Sequence, residues 1–170
     1  GKDKGLLALA KLPKINTFTL DGVFPYMSEE GLKKLLSGPF VFQIIDLHIH
    51  SFLITDDIYR VIMSYQNLQI LSLHSYYLTP AIATFYPPQS LRGYKLEQTP
   101  GFAPSPFSDM LVSILADCRL TNLHLKGEAA LAENVLCACL QKLISLLALE
   151  LDLQPLTSKI LESIPSNIFR

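Results

Sequence analysis

The chain is expected to fold as an α/β solenoid. About six irregular strand–loop–helix units would stack side by side, forming a curved parallel sheet with helices on its convex side. Three observations predict it. The pattern apolar-x-x-apolar-x-apolar returns along the chain at offsets of 27, 26, 23, 29 and 26 residues. The segments between the copies place apolar residues at helical spacing. Leucine supplies 32 of the 170 residues and the apolar fraction is 49%, so core-forming side chains run the whole length of the chain.

The copies begin at Ile15, Phe42, Leu68, Leu91, Leu120 and Leu146. Within each copy the last two apolar residues stand two apart, as a strand with one buried face requires. The candidate core pairs are Phe18 and Leu20, Ile45 and Leu47, Leu71 and Leu73, Tyr94 and Leu96, Leu123 and Leu125, and Leu149 and Leu151. Phe42–His48 aligns without gaps on Leu68–His74, which puts His48 beside His74 on adjacent strands, about 5 Å apart at the backbone.

Helices are expected between several copies. Thr55 stands in N-cap position before Asp56 to Tyr65, where Ile58, Ile62 and Tyr65 share a face. Ser108 precedes Leu111, Ile114, Leu115 and Cys118, and Leu131, Val135, Cys139 and Leu143 form a further face. Thr157 precedes a short final helix with Ile160, Leu161 and Ile164. The fourth unit departs from the rest. Tyr86-Pro87-Pro88 interrupts any helix, and the three prolines between Thr99 and Phe107 favour an extended loop. Phe102 and Phe107 in that loop need either the core or a partner. A doubly wound sheet is the competing fold. Its strands read as continuous Val/Ile runs, whereas these alternate apolar residues with Asp, Ser, His, Lys and Glu.

Residues 1–170 are expected to form one domain, an excised part of a longer protein, since the chain opens on Gly1 and stops at Arg170. Fourteen basic and fifteen acidic residues give a net charge of -1, with no basic excess to attract nucleic acid. The three cysteines, Cys118, Cys137 and Cys139, do not make a disulfide framework. The apolar run near the N-terminus, Leu6 to Ala10, is too short for a signal peptide, and no stretch is long enough to span a membrane. An intracellular protein, cytoplasmic or nuclear, is expected.

The segment Leu53-Ile54-Thr55-Asp56-Asp57-Ile58, followed by Tyr65-Gln66-Asn67-Leu68-Gln69-Ile70-Leu71-Ser72-Leu73, resembles leucine-rich repeats. It is most similar to the irregular ribonuclease-inhibitor-like and cysteine-containing repeats of F-box leucine-rich proteins, with Tyr65 where their cysteine usually stands. Thr17 to Arg170 can be read in this way, although the usual Asn or Cys after the strand is largely missing and no F-box is visible. The resemblance implies a non-enzymatic recognition domain that binds a protein on its concave strand face. It also implies a possible place as substrate receptor of a ubiquitin ligase, its adaptor bound through regions outside this chain.

Few residues suggest chemistry. Asp46-Leu47-His48-Ile49-His50 puts three potential metal ligands on one strand face, similar to the first motif of the PHP phosphoesterases. That family needs more ligands, and Thr55-Asp56-Asp57 lacks the histidine of its second motif, so metal-dependent hydrolysis is only a remote alternative. Cys137 and Cys139 diverge if helical. No nucleophile elbow, P-loop or dinucleotide turn occurs. No catalytic residue, metal ligand or cofactor is therefore assigned.

The partner-binding candidates are Asp46, His48, Ser72, His74, Lys95, Glu97, His124 and Lys126 on the strand face, with Tyr76 just beyond the third strand and Phe102 in the proline-rich loop. One of Tyr76 and Tyr77 is expected to pack inward. This mixture suits a protein partner of mixed polarity better than nucleic acid or a membrane. The alternative function is a structural module packed against flanking domains or subunits.

Overall fold

The computed structural model describes residues 15–22 and 27–155, with Lys4, Ala8 and Ile164 as isolated positions. Alternation builds its strands. In β1 (Thr17–Asp21) Phe18 and Leu20 are buried, and in β2 (Asp46–His50) Leu47 and Ile49 are buried. The same two-residue rhythm forms β3 (Ile70–Ser75), β4 (Gly93–Gln98), β6 (Asn122–Ala130) and β7 (Ala148–Gln154). A two-residue strand, β5 (Phe107–Ser108), pairs with the far end of β6.

Every strand pair is parallel. The order is β1-β2-β3-β4-β6, with β7 on the other flank of β6. Five helices of the described residues pack on the side where the strands bury their apolar residues. They are α1 (Glu29–Ser37), α2 (Phe40–Gln43), α3 (Asp56–Met63), α4 (Asp109–Ala116) and α5 (Glu133–Lys142). One cluster of buried residues runs from Phe18 to Leu153 through all of them.

Side-chain caps set several helix starts. Ser28, Thr55 and Ser108 accept hydrogen bonds from the backbone N–H of Gly31, Ile58 and Leu111. The helix expected after Thr55 ends two residues early, at Met63, but Ile58, Ile62 and Tyr65 are buried as their spacing requires. Helix α1 is not among the helices expected from sequence, although Ser28-Glu29-Glu30 is a start signal and Leu32, Leu35 and Leu36 share its buried face. The helix expected after Thr157 lies outside the described residues.

The solenoid of about six like units is not the architecture. The fold is α/β with a seven-stranded, all-parallel sheet, but its connections follow no common unit. The first carries two helices, α1 and α2. The β3–β4 connection has only a 3-10 turn, Pro80–Thr84. The β4–β6 connection runs through the proline-rich loop, β5 and α4. The physical reason is that an apolar-x-x-apolar-x-apolar cadence marks a parallel strand buried on one face. It says nothing of the crossover, which needs only to be long enough to return to the same end of the sheet.

The register of the second strand is also corrected. Asp46 pairs with Ile70, His48 with Ser72 and His50 with His74, a shift of two residues from the expected alignment. The core position is Ile44, fully buried, while Phe42 is 61% exposed. Alternation looks the same after a shift of two, so only burial of Ile44 and Ile49 separates the registers. His48 therefore does not stack on His74.

Candidate protein-docking face

All-parallel sheets usually have both faces covered. Here no described element packs on the face opposite the helices, and that face carries the polar residues of every long strand. Register arranges them in rows. The middle row is Thr19, His48, Ser72, Lys95, His124 and Glu150. The row towards the carboxyl ends is Asp21, His50, His74, Glu97, Lys126 and Asp152. All of the expected strand-face residues lie in these rows except Asp46, which sits one row lower, beside Ile70.

The chain's four histidines all lie on this face, each beside a carboxylate. Nε2 of His48 contacts Asp46. Nδ1 of His50 is 3.0 Å from Oδ1 of Asp21, Nδ1 of His74 is 3.5 Å from Oε2 of Glu97, and Nδ1 of His124 is 3.3 Å from Oε2 of Glu150. Glu97 also takes the Lys126 ammonium at 3.3 Å. Lys95 makes no ion pair among the described residues. Burial lowers the pKa of His74; Glu97 opposes this, and the charges of His50, Lys126 and Lys95 reinforce it.

At the carboxyl ends of β2, β3 and β4 the connections build an aromatic ledge. Phe52 stacks on Tyr76 with ring centroids 4.0 Å apart. Phe102 stands edge-on to both Tyr76 and Tyr77, at 5.7 and 5.6 Å. Phe52, Tyr77 and Phe102 are 41%, 41% and 50% exposed. Neither tyrosine packs inward: Tyr76 is half-buried and Tyr77 exposed. Of the two loop phenylalanines, Phe107 enters the core and Phe102 joins the ledge.

The ledge is tied to the strand face. The Tyr76 hydroxyl is 2.8 Å from Nε2 of His50, whose ring stacks on His74. Gln98 fixes the Tyr76–Tyr77 loop from below. Its side-chain amide donates to the Leu78 carbonyl at 2.8 Å, and its side-chain oxygen accepts from Leu78 N–H at 3.0 Å and from the Ser75 hydroxyl at 2.8 Å. Gln98 and Ser75 are buried, so these bonds satisfy groups that water does not reach.

The chain matches no protein-family model and no curated protein.

Asp46, His48 and His50 share a face but do not converge, because His48 turns to Asp46 while His50 turns to Asp21 and Tyr76. Among the described residues no three His, Cys, Asp or Glu side chains gather as a metal would require. Cys139 is buried and Cys137 half-buried, and burial pushes the Cys118 thiol up to about 11, reinforced by Asp117. No helix among the described residues is long and apolar enough to cross a membrane. Sequence reasoning weighed His50 only as a potential metal ligand and left both His50 and Phe52 out of the partner-binding residues. The signal for His50 was its place two residues after His48 on the same strand face, and for Phe52 its position just past the strand end, beside that of Tyr76.

Proposed function

We propose that this chain is a non-catalytic recognition domain that binds a protein on the open face of its sheet, anchored on the ledge of Phe52, Tyr76, Tyr77 and Phe102. The observation that carries this reading is an all-parallel sheet with one face that no described element covers and exposed aromatic rings grouped at its carboxyl edge. Ligands of open α/β sheets gather beyond the carboxyl ends of the strands. Aromatic side chains are the commonest anchors of protein interfaces. Rings already packed against each other lose little conformational freedom on binding.

Site-specific photocrosslinking tests the reading. A photoreactive phenylalanine analogue replaces Tyr77 or Phe102 in cells, with Met110, exposed on the helical side, as the control position. The expected result is a discrete protein adduct from positions 77 and 102 and none of that mass from 110. Identical patterns from all three positions, or no adduct from the ledge, would count against the reading.

A further inference from the structure

We infer that the partner presents a basic segment, whose Arg or Lys side chains meet the carboxylates of the open face and the rings of the ledge; this rests on the protein-docking reading above. Two independent observations point to a cationic occupant. The first is charge segregation. Asp21, Asp46, Glu97, Glu128, Glu150 and Asp152 occupy outward positions on β1, β2, β4, β6 and β7. Lys95 and Lys126 are the ammonium groups among them. With neutral imidazoles these six carboxylates and two lysines leave the face at -4. Away from this face, residues 15–22 and 27–155 carry six basic and seven acidic side chains, a balance of -1, so most of the acidic excess of those residues belongs to this face.

The second observation is the ledge itself. Exposed aromatic faces attract guanidinium and ammonium groups. Asp21 lies one imidazole away from Tyr76, through the hydrogen bonds of His50 to both. A cationic side chain placed there meets a carboxylate and a ring together. The carboxylates remain open to it. A carboxylate offers about four acceptor positions, and one imidazole N–H does not saturate them. Asp21 and Glu150 have side chains 76% and 70% exposed. The same field repels polyanions and draws a basic segment in before contact.

The test uses the full 170-residue chain and three capped peptides: hexa-arginine, hexa-lysine and hexaglutamate. Histidine and tyrosine resonances are followed by NMR during titration. Two charge variants are compared, each removing three negative charges. One is the open-face set Asp21→Asn, Glu128→Gln and Glu150→Gln. The other is the helix-side set Glu30→Gln, Asp57→Asn and Asp117→Asn. Hexa-arginine is expected to shift the His50, His74 and Tyr76 signals saturably. The open-face set should weaken it about tenfold or more, and the helix-side set by less than about threefold. Phe102→Ala should weaken hexa-arginine further, while leaving the unfolding midpoint in place.

Equal losses in the two variants, or tighter binding of hexaglutamate, would overturn the inference. The crosslinking result separates the two levels. Ledge-specific adducts without hexa-arginine binding would leave the docking reading standing and remove the basic partner; the absence of both would remove both.

Discussion

The imidazoles of His50 and His74 lie face to face, with ring centroids 3.9 Å apart and planes 11° from parallel. Neighbouring strands place them in register, and each ring is held at its edges. His50 is fixed between Asp21 and Tyr76, and Nε2 of His74 lies 3.0 Å from the Thr99 hydroxyl. A positive charge on His50 so close by disfavours one on His74. The stack joins the polar rows of the sheet to the aromatic ledge through the His50–Tyr76 hydrogen bond.

The sign of the pH effect follows from burial of His74, which disfavours its charged form. Above pH 6.5 the folded and unfolded chains both hold it mainly neutral. As the pH falls below that value the unfolded chain takes the proton first. The stability is therefore complete above pH 6.5 and is lost on acidification, until the folded form is protonated too. Urea unfolding between pH 8 and pH 5 should show a smaller loss of stability for His74→Gln than for the parent. Superimposable pH slopes would refute this.

Gln98 reaches both backbone groups of Leu78 from within the core. Gln98→Leu leaves the Leu78 N–H and C=O without these partners, at a cost of about 1–3 kcal/mol. Chemical denaturation measures the loss. Because the loop carries Tyr76 and Tyr77, the near-ultraviolet dichroism of the tyrosines should weaken in the still-folded variant. An unchanged spectrum would separate the clamp from the ledge.

Tyr59 and Tyr94 are buried and share one hydrogen bond, hydroxyl to hydroxyl at 2.9 Å. Burial raises the pKa of both phenols, so neither ionises near neutrality. Tyr59→Phe strands the Tyr94 hydroxyl and should cost about 1–3 kcal/mol. The double change to Phe removes both polar groups and should cost less than the sum of the two single changes. Strict additivity in the denaturation midpoints would contradict the pairing.

Gly127 has φ +154°, and a Cβ there would stand 2.5 Å from the buried ring of Phe107 and 3.0 Å from the backbone oxygen of Gln98. Gly127→Ala should therefore destabilise the chain by about 1–3 kcal/mol, through displacement of β5 from β6. Thermal unfolding checks it, and a midpoint equal to the parent's would show that the ring moves aside freely.

Strand positions were legible because burying one face imposes a rhythm of two, and Phe18, Leu71, Tyr94, Leu123 and Leu149 follow it. The register of β2 was not, since Ile44, Leu47 and Ile49 satisfy the same rhythm as Phe42, Ile45 and Leu47. The regularity of the connections was over-read. Helix caps at Thr55 and Ser108 suggested like units, whereas Pro87 and Pro88 and the extra α1 and α2 break the likeness. Of the site, the polar residues of each strand face could be listed from alternation, but their rows across β2 could not. The ledge could not, because Phe52, Tyr76 and Phe102 come from different connections and meet only when the strand ends align.

That origin has a consequence for how selectivity can change. The rings of the ledge arrive on three connections, Phe52 after β2, Tyr76 and Tyr77 after β3 and Phe102 after β4, each downstream of a strand whose backbone pairing is complete without them. One connection can be exchanged for a longer or differently shaped one while the sheet beneath keeps its pairing. Grafting three short segments would then be enough to carry a binding preference onto another sheet of the same spacing, or to retune this one stepwise.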